Sequence, residues 1–160
     1  MTNKKTVTIL NLDQSTKITG YSIFKNKNLD TYGLLCANED EKNPIERMKE
    51  MNDKIIALIN NVKPDYIVFE QVQFQNNYGT FQQLSQLQGV IMAHLFLKDI
   101  GFTLIEPTAW KSFCKIKGRK RVEQKLNTQI FVKEKYGFNV SEDEADAIGI
   151  GTWSSNNLLK

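Results

Sequence analysis

Four carboxylates at three separate places in this chain stand where they can meet. Asp13 ends the apolar run Thr8-Ile9-Leu10-Asn11-Leu12, and Glu70 ends Tyr66-Ile67-Val68-Phe69. Asp143 and Asp146 lie three apart in Ser141-Glu142-Asp143-Glu144-Ala145-Asp146-Ala147-Ile148. Like charges a few ångström apart repel, and a bound divalent cation removes that cost. Hard oxygen ligands with no His or Cys beside them suit Mg²⁺ or Mn²⁺ rather than Zn²⁺. Two such ions about 3.5–4 Å apart can activate a water and stabilise the leaving oxygen of an in-line phosphoryl displacement. Each acid taken singly has a structural reading as well. A lone acid at a strand end serves as a turn or cap residue, which fits Asp13. Asp143 suits the positive end of a helix dipole. Glu70 is harder to treat so, because charges rarely end so apolar a strand without a task. Asp146 leads into Ala147-Ile148-Gly149-Ile150-Gly151, a small-residue run made for packing, and an acid on that face needs a partner.

The segments around these acids decide whether they converge. Val7–Asp13, Thr19–Phe24 and Leu29–Ala37 read as strands with short connections, hence antiparallel neighbours. A helix follows, capped by Asn43 with Pro44 in its first turn. Its stripe of Ile45, Met48, Ile55, Leu58, Ile59 and Val62 faces a core. Tyr66–Glu70 is a short buried strand, and the helix before it favours parallel pairing with the first strand. Gln71–Thr80 is polar and irregular. Phe81, Leu84, Leu87, Val90, Ile91 and Leu95 mark a second helix, part of whose broad apolar face is a candidate dimer contact. Phe102–Glu106 is a further strand, and Thr108 is a candidate cap for a short helix holding Trp110 and Phe113. A long helix ends near Tyr136-Gly137, with glycine as its stop, and Ser141 with Glu144 forms a capping box for the last helix. The order argues for an α/β fold: a mixed sheet with helices against its faces. Asp13 and Glu70 then emerge at one sheet end, where sites in such sheets form. Asp143 and Asp146 share one face of the last helix.

The charge distribution names a class of partner. The chain has 160 residues and a net charge of +3, yet Lys111 to Lys135 holds nine cations against two anions. Such asymmetry suggests a polyanion, although a solvated helix face gives the same pattern. The length fits one domain spanning 1–160. Cys36 and Cys114 are too few and too distant for a zinc site, and both read as buried, reduced thiols. No leader pattern opens the chain, since Thr2-Asn3-Lys4-Lys5 runs into a strand-like segment. No apolar stretch approaches a membrane span. These features suggest a reducing, cytoplasmic setting. His94, Trp110 and Trp153 read as packing residues.

The ordered set of motifs resembles one family. Leu12-Asp13-Gln14-Ser15-Thr16-Lys17-Ile18-Thr19-Gly20-Tyr21 resembles the first strand and hairpin of the RuvC Holliday-junction resolvases. Phe69-Glu70-Gln71-Val72, with the later Leu87-Gln88-Gly89-Val90, resembles that family's second acid and following helix. Asp143-Glu144-Ala145-Asp146-Ala147-Ile148 resembles its last motif. The resemblance implies an RNase H-like fold with a mixed five-stranded sheet, acting as a homodimer on four-way DNA junctions. It implies that Asp13, Glu70, Asp143 and Asp146 bind metal, two Mg²⁺ per site with Mn²⁺ able to substitute. It implies catalytic roles for Lys111 or Lys120 near the scissile phosphate, and products with a 5′-phosphate and a 3′-hydroxyl. The sequence departs from the family at Gln14-Ser15, where Pro-Gly is usual, and at Gln73-Phe74, where the aromatic falls one place late. Ser15, Phe74, Tyr78, Lys115, Lys117, Arg119 and Arg121 are the candidate DNA contacts, with amides able to read base edges and aromatics able to stack.

Two other readings stay open at this level: an RNase H-like nuclease for RNA–DNA hybrids, and a non-catalytic branched-DNA module. An ATP-binding actin/Hsp70-like fold would need a second Gly-rich phosphate loop and a much longer chain. The Asn- and Lys-rich composition suggests a phage-encoded enzyme working in the cytoplasm of a bacterial host.

Overall fold

The computed structural model describes residues 5–159; the lead-in Thr2-Asn3-Lys4 lies outside them. Five strands form one sheet in the order β3-β2-β1-β4-β5. They are β1 (Thr8–Asp13), β2 (Ile18–Lys25), β3 (Asn28–Cys36), β4 (Tyr66–Glu70) and β5 (Gly101–Ile105). The hairpin connections make β1, β2 and β3 antiparallel, whereas β4 and β5 join parallel after helical crossovers. The expected mixed sheet, three antiparallel strands and then parallel ones, is the one present.

Period-2 alternation divides the sheet into two faces. Leu10, Leu12, Ile67 and Phe69 point into the larger core, shared with Met51, Ile55 and Ile59 of α1 (Pro44–Val62) and Leu87, Ile91 and Leu95 of α2 (Tyr78–Lys98). Ile9 and Val68 point the other way, toward Trp110 of α3 (Pro107–Phe113) and Ile150 of α5 (Glu142–Asn157). Asp13 and Glu70 continue this second set at steps of two, so both belong to the face that α5 covers. Between α3 and α5 runs α4 (Arg121–Tyr136), ended by Gly137 at φ 84°.

Helix starts follow their caps. Asn43 Oδ1 accepts the Ile45 N–H at 2.9 Å, with Pro44 in the first turn as expected. Asn77 Oδ1 accepts the Thr80 N–H at 3.0 Å, which starts α2 three residues before Phe81 and draws Tyr78 out of the polar loop. Thr108 does not cap α3: Pro107 takes the first-turn place, which needs no N–H donor, and Glu106 becomes the N-cap residue. Cys36 is exposed on the edge strand rather than buried, while Cys114 is buried; both are free thiols. Burial pushes the Cys114 thiol up to about 12, so it is unreactive. His94 is half-buried on α2. Among the described residues no helix is long and apolar enough to cross a membrane.

Candidate active site

Sheet register brings the first two acids together. Leu12 pairs with Phe69 across the parallel β1–β4 ladder, so Asp13 and Glu70 are the next residues on adjacent strands, about 4.8 Å apart in the pairing direction. Two amides pin the strand end. Gln14 Nε2 and Gln88 Nε2 both donate to the Glu70 carbonyl, at 2.8 and 3.0 Å. Gln14, at the position where the sequence departs from the family's Pro-Gly, is thus a backbone tether beside the site.

Helix α5 delivers the other two. Its capping box is formed: Ser141 Oγ accepts the Glu144 N–H, and Glu144 Oε2 accepts the Ser141 N–H at 2.9 Å. Small residues let the helix lie close to the sheet. Ser22 Oγ donates to the Ala147 carbonyl at 2.6 Å, and Ser154 Oγ donates to Asn11 Oδ1 at 2.6 Å. Gly20 is the cross-strand partner of Asp13, and a β-carbon on it would lie 2.1 Å from the Asp143 carbonyl oxygen. The helix start therefore rests on the strand beside Asp13.

The acids share one electrostatic field. Burial raises Asp13 well above the usual carboxylate range, and repulsion from Glu70, Asp146 and Asp143 adds to it. Asp13 keeps some solvent contact, but chain surrounds its carboxyl, so water screens it weakly. Burial pushes Asp146 up to about 6, against the pull of Lys125 and with repulsion from Glu70 and Asp143. Asp143 is raised by burial too, opposed by Lys125. Glu70 is raised by burial, opposed first by a hydrogen bond from Trp110. These carboxyls form no closed cage: among the described residues no three His, Cys, Asp or Glu side chains are grouped closely enough to hold a metal ion. The donor set nonetheless fits a divalent cation: hard oxygens, all raised by burial, with Asp13 and Asp146 raised further by repulsion from neighbouring acids of the set.

The basic residues sort themselves by position. Lys111 is half-buried beside Glu70, its Nζ 3.2 Å from Gln124 Oε1 and 5.5 Å from the Trp110 ring centroid. Lys120 is exposed at the N-cap of α4, and the cations weighing most on the acids are instead Lys125, Lys111 and Arg121. Lys125 acts on all four acids and pairs with Glu142 at 3.1 Å. In the sequence, Lys125 stands out only as one cation of the basic stretch. It shares a helix face with the buried Thr128 and Val132 of α4, and that spacing was the available signal. Lys115, Lys117, Arg119 and Arg121 are exposed, the first three on the loop before α4. The Ser15 hydroxyl accepts the Lys17 N–H at 3.3 Å within the β1–β2 turn. Phe74 is 60% exposed and meets Phe81 edge-on at 5.7 Å, and Tyr78 is 69% exposed. The loop that carries Phe74 is tied back through Gln73 to Glu106 at 2.6 Å and Gln75 to Arg121 at 3.3 Å.

Comparison with known proteins gives the family and the fold. The family model described as crossover junction endodeoxyribonuclease RuvC matches residues 9–151, which span all four acids. The RuvC of Fusobacterium nucleatum is 27% identical over 157 residues, covering 94% of this chain and 80% of the relative. That of Borrelia turicatae is 29% identical over 113 residues, covering 69% of this chain and 70% of the relative. Thermus thermophilus RuvC, solved in complex with Holliday junction substrate, superposes with a TM-score of 0.71 at 12% identity, covering 91% of each chain. The Fowlpox virus resolvase, solved with substrate Holliday junction DNA, gives 0.66 at 16% identity, covering 96% of this chain and all (100%) of that one. The RNase H-like architecture of the resolvases is therefore the fold of this protein, and the chain belongs to the RuvC family of crossover junction endodeoxyribonucleases.

Proposed function

We propose that this protein is a structure-selective DNA endonuclease that resolves four-way junctions and other branched DNA by cation-dependent phosphodiester hydrolysis. One observation carries the reading. In a chain matched to the RuvC family along residues 9–151, the strand-end acids Asp13 and Glu70 emerge on the face covered by the helix that begins with Asp143 and Asp146. Asp13, Glu70, Asp143 and Asp146 would hold the cations, two Mg²⁺ with Mn²⁺ as a substitute. The chemistry such cations supply is Lewis-acid activation of a water and of the leaving oxygen. Among the described residues, no hydrogen bond stands among the largest influences on the Asp13, Asp143 and Asp146 carboxyls; burial and neighbouring charges do.

Lys111 and Lys125 flank the acids and offset charge that grows on the phosphate during attack. Lys115, Lys117, Arg119, Lys120 and Arg121 line the exposed approach and anchor flanking phosphates, which position the DNA without reading its sequence. Phe74 and Tyr78 stack on bases unpaired at the branch point, and the Ser15 turn abuts the backbone there. Such work places the enzyme where the DNA is, in a bacterial cytoplasm.

Symmetric cutting needs two active sites, and α2 supplies a face for a second copy. Leu97 is 86% exposed, Phe96 66% and Val90 37%, with Ala93 exposed between them. A β-carbon on Gly89 would meet nothing within 4 Å. A mid-helix glycine costs about 0.5–1 kcal/mol relative to alanine, and packing within one chain gives no reason for it. Close approach of a second α2 does.

The test gives purified protein a labelled synthetic four-way junction, a plain duplex and an RNA–DNA hybrid, with and without Mg²⁺. Paired nicks confined to the junction and dependent on Mg²⁺ are expected. Preferential cutting of the hybrid, or binding with no cutting in any cation, overturns the assignment.

A further inference from the structure

Trp110 is buried completely. That is unusual for so large a side chain, and its N–H must then find an acceptor. The acceptor is Glu70: Trp110 Nε1 donates to Glu70 Oε2 at 2.7 Å. A charge-assisted bond of this length both fixes and stabilises a carboxylate. The backbone arranges it. Ile105 is paired with Glu70 across the β4–β5 ladder, Pro107 turns the chain at once into α3, and one helical turn brings the indole back over its neighbour strand.

The other side of the ring is equally defined. A β-carbon on Gly149 would lie 2.4 Å from Trp110 Cζ3 and 2.8 Å from Cε3. Gly149 stands one turn after Asp146 on α5. The indole thus fills the space between the strand that carries Glu70 and the helix that carries Asp143 and Asp146. Its second partner, Lys111, keeps its ammonium over the ring.

Resting on the reading of Glu70 as a cation ligand, we propose that Trp110 is a positioning residue: its indole N–H holds Glu70 Oε2 so that Oε1 is presented to the cation, and Gly149 sets the ring's place. The same contacts would also suit a core tryptophan whose N–H merely needed an acceptor. The two roles differ in whether the loss of the N–H passes through Glu70.

The experiment measures Mn²⁺ affinity of the full-length protein by calorimetry in wild type, Trp110→Phe, Glu70→Gln and the double variant. Melting temperature and affinity for an uncut junction are followed in parallel. Phenylalanine keeps an aromatic ring and removes the donor. Trp110→Phe is expected to weaken Mn²⁺ binding by about tenfold or more and to lower kcat for junction nicking with KM little changed. In the Glu70→Gln background the same change should cost less than about twofold, because its route of action is already gone. Wild-type Mn²⁺ affinity in Trp110→Phe, or a full additional loss in the double variant, overturns the proposal. Wild-type affinity in Glu70→Gln removes the ligand reading itself, and the proposal with it. If Trp110→Phe does not fold, β-(3-benzothienyl)alanine at position 110 in a Trp153→Phe chain replaces the N–H by sulfur at nearly constant shape. Loss of Mn²⁺ affinity there supports the proposal, and retention overturns it.

Discussion

Gly20 of β2 lies so close beneath Asp143 that a β-carbon on it would stand 2.1 Å from the Asp143 carbonyl oxygen. Gly20 is also the residue paired with Asp13. One backbone-to-backbone contact therefore sets the distance between the first acid and the helix that carries the last two. Gly20→Ala should push the start of α5 off the sheet. We expect a loss of about 1–3 kcal/mol from the added atom in a packed space and a larger loss of nicking than of junction binding. Thermal melts and single-turnover nicking report the two effects. A variant with wild-type stability and rate would show that the helix start is not seated there.

Glu70→Gln and Asp146→Asn each remove one charge and keep the side-chain shape. Each should lower the nicking rate by at least about 10²-fold while leaving affinity for an uncut junction near wild type, since phosphate contacts dominate affinity. Gel-shift and cleavage assays on one labelled junction separate these quantities.

Lys125 and Lys120 should behave differently. Lys125 acts on all four acids, whereas Lys120 is exposed at the start of α4. Lys125→Ala is expected to slow nicking by on the order of 10²-fold. Lys120→Ala should weaken binding alike on all junction sequences and reduce the salt slope by about one. The reverse pattern would exchange their roles.

Metal-free protein should become more stable as pH falls from about 7 toward about 5. Burial first, and mutual repulsion with Glu70 and Asp143, push Asp146 up to about 6 from an ordinary 3.8. A carboxyl raised in the folded state binds its proton more tightly there. Its penalty is full above the folded pKa and gone below the unfolded one. A shift of about two units sets a ceiling of about 3 kcal/mol for Asp146, and solvent contact reduces it. Asp13, Glu70 and Asp143 are raised in the same direction. Glu50 and Asp65 are lowered, chiefly by backbone N–H groups of Asn38 and Thr8. Their contribution disappears as pH falls through the acid range, so stability turns down again below about 4. Melting temperatures across pH should show this maximum, flattened by Asp146→Asn and moved to higher pH by added Mg²⁺.

The α2 face should hold two copies together. Leu97→Glu places a charge on a side chain that is 86% exposed in one chain, so the fold should be unchanged. Light scattering at micromolar concentration should then report a monomer in place of a dimer, and paired nicking should become single, uncoupled nicks.

Much of this arrangement was legible in the chain because its causes are local. The apolar runs Thr8–Asp13 and Tyr66–Glu70 each close on an acid, which puts both acids at one end of a parallel strand pair, and Ser141 with Glu144 marks where the last helix must begin. Tertiary packing alone decided the remainder. Lys125 weighs on the charge of all four acids because α4 docks on α5 with Val132 against Ala145 and Ile148, and periodicity cannot say which neighbour a helix face will meet. Cys36 lies exposed because β3 is an edge strand, a matter of strand order rather than of local composition. The bond from Trp110 to Glu70 joins residues 40 positions apart, and it exists only because parallel pairing sets β5 beside β4 and a missing side chain at Gly149 leaves room for the ring.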